Sequence, residues 1–135
     1  MEGKKIRVVI AKIGPDDHYV GMECVAQWLR EGGIEVVYLG TNQRVDGVVK
    51  AVIEEDADVL GLSFHCRGEI EMTNRVITRL REENAGDVRV IVGGVMPHES
   101  VSKLKEIGVS IVFLPGSSMT DIVNCVKTLY AEEKE

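Results

Sequence analysis

Five short apolar runs punctuate the chain: Ile6 to Ala11, Glu35 to Leu39, Val59 to Ser63, Val88 to Val92 and Ile111 to Leu114. They are rich in Val and Ile, and most are apolar throughout rather than alternating. That is the pattern of strands buried on both faces of a parallel sheet. Between them the apolar positions recur at helical spacing. Val20, Cys24, Val25, Trp28 and Leu29 form one stripe; Val45, Val48, Val49, Val52 and Ile53 form a second. Val76, Ile77 and Leu80 form a third, Val101, Leu104 and Ile107 a fourth, and Ile122, Val123, Val126, Leu129 and Tyr130 a last one. Gly32, Gly33 and Gly108 stand where helices end.

The order is therefore β-α-β-α-β-α-β-α-β-α. Right-handed helical crossovers between parallel strands give an open α/β sheet covered on both faces. The expected fold is a flavodoxin-like, doubly wound five-stranded sheet with strand order 2-1-3-4-5, and residues 1–135 are expected to form a single domain. Ligands on such sheets bind beyond the carboxyl ends of the strands, near the switch point between strands 1 and 3. The loops concerned are Lys12 to Gly21, Ser63 to Gly68, Gly93 to His98 and Pro115 to Met119, which are also rich in Gly, Ser and His.

Composition narrows the partners. The chain has 135 residues, 44% of them hydrophobic, enough for one domain with a proper core. A formal charge of −6 with scattered Lys and Arg argues against nucleic acid. No apolar run is long enough to span a bilayer, and Met1 to Lys5 begins no signal peptide. Cys24, Cys66 and Cys125 are odd in number and form no CxxC pair, so no disulfide framework or zinc site is expected. The expected compartment is the cytoplasm.

The loop after the first strand concentrates the chemistry. An acid two residues before a histidine, as in Asp16-x-His18, can accept the Nδ1 proton and leave Nε2 as an outward donor. Lys12, at the strand end, can in turn hold Asp16. His18 is thus a candidate metal ligand or base, and equally a helix-start residue; Asp16 and Asp17 equally suit helix capping. Ser63 is a candidate ligand contact or a strand cap. His65 and Cys66 are adjacent, point apart and have no third ligand near, which disfavours a metal there. Gly93 and Gly94 suit either close approach by a ligand or a tight turn. Gly116 and Ser117 precede a helix, where backbone N–H groups suit a phosphate and a Ser suits a cap. Receiver domains need an Asp at the end of strand 3 and a Lys after strand 5, where this chain has Ser63 and Pro115. Flavodoxins need a Ser/Thr-rich phosphate loop after strand 1, which is missing.

Taken together, Asp16-x-His18-x-x-Gly21, then Ser63, then Gly93-Gly94 resemble the D-x-H-x-x-G…S-x-L…G-G signature of cobalamin (B12)-binding domains. The resemblance covers nearly the whole chain. The segments around Lys12 to His18 and Val92 to Pro97 look most like the small subunit or B12 domain of methylmalonyl-CoA mutase-type enzymes. Gly68-Glu69-Ile70-Glu71 looks more like the glutamate mutase small subunit. The resemblance implies that the dimethylbenzimidazole tail leaves cobalt and inserts beside the sheet, with His18 as lower cobalt ligand. It implies that Asp16 bonds His18, that Lys12 holds Asp16 and that Ser63 bonds the inserted base. Gly93 and Gly94 would leave room for the tail, Gly116 and Ser117 would lie near its far end, and Gly21 would let the first helix approach the corrinoid. His65 stands where the motif has Leu, Asp17 replaces a common Gly, and Tyr19 adds bulk beside His18.

The implied function is the cobalamin-binding small subunit of an adenosylcobalamin-dependent carbon-skeleton mutase, with an acyl-CoA substrate. In such mutases the substrate sits in an (α/β) barrel, so the expected partner is a large catalytic subunit, and this chain alone turns nothing over. Homo-oligomerisation is compatible with the same reading. Two alternatives stay open: a corrinoid methyl carrier of a methyltransferase system, and a non-catalytic sensor or interaction module on the same fold.

Overall fold

The computed structural model describes residues 5–14, 20–65 and 68–134. Strands β1 (Arg7–Ile13), β2 (Glu35–Gln43), β3 (Val59–Phe64), β4 (Arg89–Gly94) and β5 (Ile111–Phe113) alternate with helices α1 (Val20–Glu31), α2 (Val45–Glu54), α3 (Glu69–Glu82), α4 (Glu99–Glu106) and α5 (Met119–Lys134). All five strands join one sheet in the order β2-β1-β3-β4-β5, and every pairing is parallel. The flavodoxin-like expectation holds, with the switch point between β1 and β3.

Strand alternation sorts the core into two layers. On one face Val9, Leu60, Leu62, Val90 and Val92 pack against Val48 and Val52 of α2, Val76 and Leu80 of α3, and Leu104 of α4. On the other, Val8, Ile10, Val59 and Ile91 pack against Met22, Ala26 and Leu29 of α1 and Ile122, Val126 and Leu129 of α5. Helix α1 ends where the Gly33 N–H donates to the Arg30 carbonyl, with φ of 89° at Gly33.

Three element boundaries depart from the apolar runs. Strand β2 continues four residues past Leu39 into Gly40, Thr41, Asn42 and Gln43. It is an edge strand, so polar residues are tolerated there, and a register shift opposite Ala11 carries it through Gly40 at φ 87°. Helix α3 starts at Glu69, a full two turns before the Val76 stripe. Its first core-facing positions are the polar Glu69 and Thr73, both buried. Strand β5 stops at Phe113, because the chain turns at once: the Ser117 N–H donates to the Leu114 carbonyl at 3.3 Å.

Candidate functional site

The alternation that builds the α1/α5 layer leaves a hollow at its carboxyl end. Moving along β3, the side of the sheet facing α1 and α5 receives Val59, then Gly61, then Ser63. Gly61 pairs in register with Ile10 and Ile91, and Ser63 pairs with Gly93, which pairs with Phe113. The two central strands therefore present glycine where their neighbours present side chains. The result is a cleft of about 700 Å³ between the sheet and α1.

Its walls are Ile10, Ile91, Phe113 and Ile122 from the core layer and Val25 and Trp28 from α1. Trp28 is the chain's only tryptophan. Lys12, Ser63, His65 and Ser117 supply polar groups to this mostly apolar lining. Lys12 is 2% exposed, so its ammonium is carried on the last turn of β1 into the wall of the cleft rather than into solvent. The mouth is apolar: Val20 is 66% exposed and Val95 50%.

Of the residues singled out in the sequence, the structure brings Lys12, Gly21, Ser63, Gly93, Gly94, Gly116 and Ser117 to this one cleft. Asp16, Asp17 and His18 lie outside the described residues, as do Tyr19 and Cys66. A Cβ on Gly21 or Gly116 would meet nothing within 4 Å, so both border open space. Gly94 is different. A Cβ there would fall 1.8 Å from the Phe64 carbonyl oxygen, and its φ is 131°, so its missing side chain is required by the close approach of the end of β4 to its partner Phe64 on β3. Of the two serines ahead of α5, Ser118 caps the helix by accepting the Asp121 N–H at 3.1 Å. Ser117 donates its hydroxyl to the Leu114 carbonyl at 2.8 Å and holds the loop over the cleft.

Sequence reasoning missed the apolar walls, notably Trp28, Phe113 and Ile122, and the floor glycine Gly61. Their spacing is that of ordinary core, and only the pairing of Gly61 with Ile10 and Ile91 gives it away. Among the described residues no group of three or more His, Cys, Asp or Glu is gathered to hold a metal ion. No described helix is long and apolar enough to cross a membrane.

The family model of the B12 binding domain matches residues 6–123. The chain belongs to the B12-binding domain family. This B12-binding domain is 37% identical over 131 residues to the 2-hydroxyisobutanoyl-CoA mutase small subunit of Aquincola tertiaricarbonis, covering 97% of the chain and 96% of that relative. It is 40% identical over 126 residues to the pivalyl-CoA mutase small subunit of Xanthobacter autotrophicus (strain ATCC BAA-1158 / Py2), covering 93% and 84%. Among solved structures, a cobalamin-binding protein from Desulfitobacterium hafniense DCB-2 superposes with a TM-score of 0.80 at 24% identity. That match spans 93% of the chain and 59% of the other protein, a likeness of fold.

A flat heterocyclic part of cobalamin, the cofactor of the family, fits the cleft on physical grounds. Its volume lies within the roughly 300–1,000 Å³ of small-molecule sites, and its apolar walls with few polar groups suit a flat heterocycle. Glycine on both central strands admits a ring to the depth of the backbone.

Proposed function

We propose that the chain is the cofactor-carrying small subunit of an adenosylcobalamin-dependent acyl-CoA mutase, working with a large (α/β)-barrel subunit that binds substrate. The observation that carries the reading is the glycine-floored cleft beside the carboxyl end of β1, the strand that the Asp16-x-His18 motif follows in sequence. Near-complete coverage of two acyl-CoA mutase small subunits supports the same assignment. Their names point to short, branched acyl-CoA thioesters as the substrate class. Residues 1–135 are read as one cobalamin-binding domain acting in the cytoplasm.

On this reading the cleft receives the dimethylbenzimidazole tail. Ser63, on the floor next to Gly93, hydrogen-bonds the base; Gly93 and Gly94 keep the wall clear, and Gly116 and Ser117 border the far end. His18 is the lower ligand to cobalt, Asp16 fixes its tautomer, and Asp17, between them in sequence, adds to cofactor binding. Lys12 is buried with its charge near the end of β1, so it can hold Asp16 without competition from water. A carboxylate behind a ligating histidine raises the basicity of the ring nitrogen. Adenosylcobalamin, when bound, supplies radical chemistry through homolysis of its cobalt–carbon bond. The protein's part is to bind, orient and exclude water. The exposed Val20 and Val95 at the mouth become buried when cofactor and large subunit cover them.

The test is electron paramagnetic resonance of the bound, reduced cobalamin with nitrogen-15-labelled histidine. Superhyperfine splitting from a histidine nitrogen, absent in His18→Ala, is expected. Splitting from the dimethylbenzimidazole nitrogen instead would exclude the assignment.

A further inference from the structure

The cleft has a deep end, and the largest side chain in its wall stands there. Helix α1 starts at the mouth with Val20 and runs back alongside the sheet; Trp28 is the last of its residues to line the cavity. At about 1.5 Å per residue, Trp28 lies roughly 12 Å further in than Val20. The sheet supplies a matching row. Ile10, Gly61 and Ile91 stand in register on β1, β3 and β4, and each is the first residue of its strand to line the cavity. A Cβ on Gly61 would meet Ile91 at 3.6 Å and Ile10 at 3.7 Å, so the two isoleucines flank a notch whose floor is main chain. The deep end is thus a slot, with glycine at the floor, an isoleucine on either side and an indole on the helix wall.

Core packing does not account for the indole. Met22, Ala26 and Leu29 are the buried residues that fasten α1 to the sheet, whereas Trp28 is only partly buried beside that layer and lines the hollow. A tryptophan offers the largest flat apolar face of any side chain, and such a face packs best on another planar ring. A planar group that reaches the slot therefore meets an indole on one wall and aliphatic side chains on the others. The same indole also ends the α1 wall, so its bulk limits how far a ring can go.

We propose that Trp28 is the specificity residue of the deep end of the cleft: its indole packs on the planar base that enters and limits the length of that base, so that the site takes a two-ring base and rejects a three-ring one. The inference rests on the cobalamin reading above, which supplies the base. It adds the residue that selects among cobamides by the size of that base.

The test uses the full chain and two probes, adenosylcobalamin and its analogue with 2,3-naphthimidazole, one fused ring longer, as lower base. Binding is followed by equilibrium dialysis with corrinoid absorbance, a signal that does not depend on the tryptophan. Overpacking by the extra ring corresponds to a preference of about tenfold for adenosylcobalamin in the parent protein. Trp28→Ala is expected to weaken adenosylcobalamin by about five- to 150-fold, the loss of one stacked ring. The analogue gains the vacated space, so the preference should fall by at least about fivefold. Trp28→Phe keeps a shorter aromatic wall and carries the test if the alanine variant does not fold. It is expected to lower the preference in the same direction while holding adenosylcobalamin within about fivefold of the parent. No preference in the parent protein, or one that the folded variants keep unchanged, would overturn the inference and leave the cobalamin assignment standing. If the parent protein binds neither cobamide, the assignment falls and takes the inference with it.

Discussion

Replacing each of two adjacent glycines by alanine separates the fold from the site. At Gly94 a new Cβ would lie 1.8 Å from the Phe64 carbonyl oxygen, 2.8 Å from the carbonyl carbon and 3.0 Å from the Phe64 nitrogen. All three are backbone atoms of β3, so no rotamer change relieves the contact. The same carbonyl accepts the Val95 N–H at 3.1 Å, and that bond is lost when the strands part. A side chain at a φ of 131° costs about 1–3 kcal/mol and a forced backbone shift a further ~1–3 kcal/mol. Gly94→Ala should therefore lower stability by about 2–6 kcal/mol, against a total on the order of 5–15 kcal/mol. With a urea m-value of about 2 kcal/mol/M, the midpoint falls by roughly 1–3 M. At Gly93 the nearest atoms to a new Cβ are the Phe113 oxygen at 3.6 Å and its Cβ at 3.7 Å, an ordinary contact. Gly93→Ala should leave the midpoint within about 0.5 M, since the gain from a stiffer unfolded chain is below ~1 kcal/mol. Its methyl group intrudes into the cleft, so cobalamin affinity should fall about tenfold. Urea unfolding followed by circular dichroism, paired with a cobalamin titration, reads both. Equal midpoints for the two variants would refute the division of labour between these glycines.

Two further variants probe the joint between α3 and α4. The Ser100 hydroxyl donates to the Glu69 carboxylate at 2.7 Å, with the two residues 3% and 6% exposed, and Ser100→Ala should cost about 1–3 kcal/mol by leaving a buried carboxylate without that donor. Thermal unfolding measures it, and an unchanged midpoint would mean that Glu69 finds an equivalent partner. Among the described residues the buried Thr73 hydroxyl has no hydrogen-bond partner, so the isosteric Thr73→Val should raise stability by about 1 kcal/mol; a loss would point to a role for that hydroxyl.

The strand order was legible because buried parallel strands are continuous apolar runs, and each of the five runs became a strand. Helix α3 was legible only in its second half. Glu69 and Thr73 occupy core-facing positions that hydrophobicity cannot flag, and the partner of the buried Glu69 carboxylate, Ser100, lies thirty-one residues further along the chain. The end of β2 was hidden for the opposite reason: an edge strand needs hydrogen bonds more than apolar side chains, and Thr41 to Gln43 supply the former. At the site, sequence reasoning found the glycines and polar groups on the strand ends, since those residue types are unusual beside apolar runs. It did not find Trp28 or Phe113, whose packing positions differ from core only in facing a hollow. Nor did it distinguish Gly94 from Gly93, since one answers to the Phe64 carbonyl and the other borders the cleft.

The placing of Gly61 and Gly93 on neighbouring strands, both on the cleft side, has a thermodynamic consequence. A hollow framed by side chains can collapse when rotamers turn, but one whose floor is main chain is held open by the hydrogen-bonded ladder of the sheet itself. The site is thus prepaid during folding, and apolar surface that could have joined the core stays in contact with water. Filling it restores what folding left incomplete, so ligand free energy adds directly to that of the native state. A domain of this design is most stable when loaded, with a melting temperature that climbs with ligand concentration and a negative heat-capacity change on binding. Cells that run short of the cofactor would hold this chain in its least robust form.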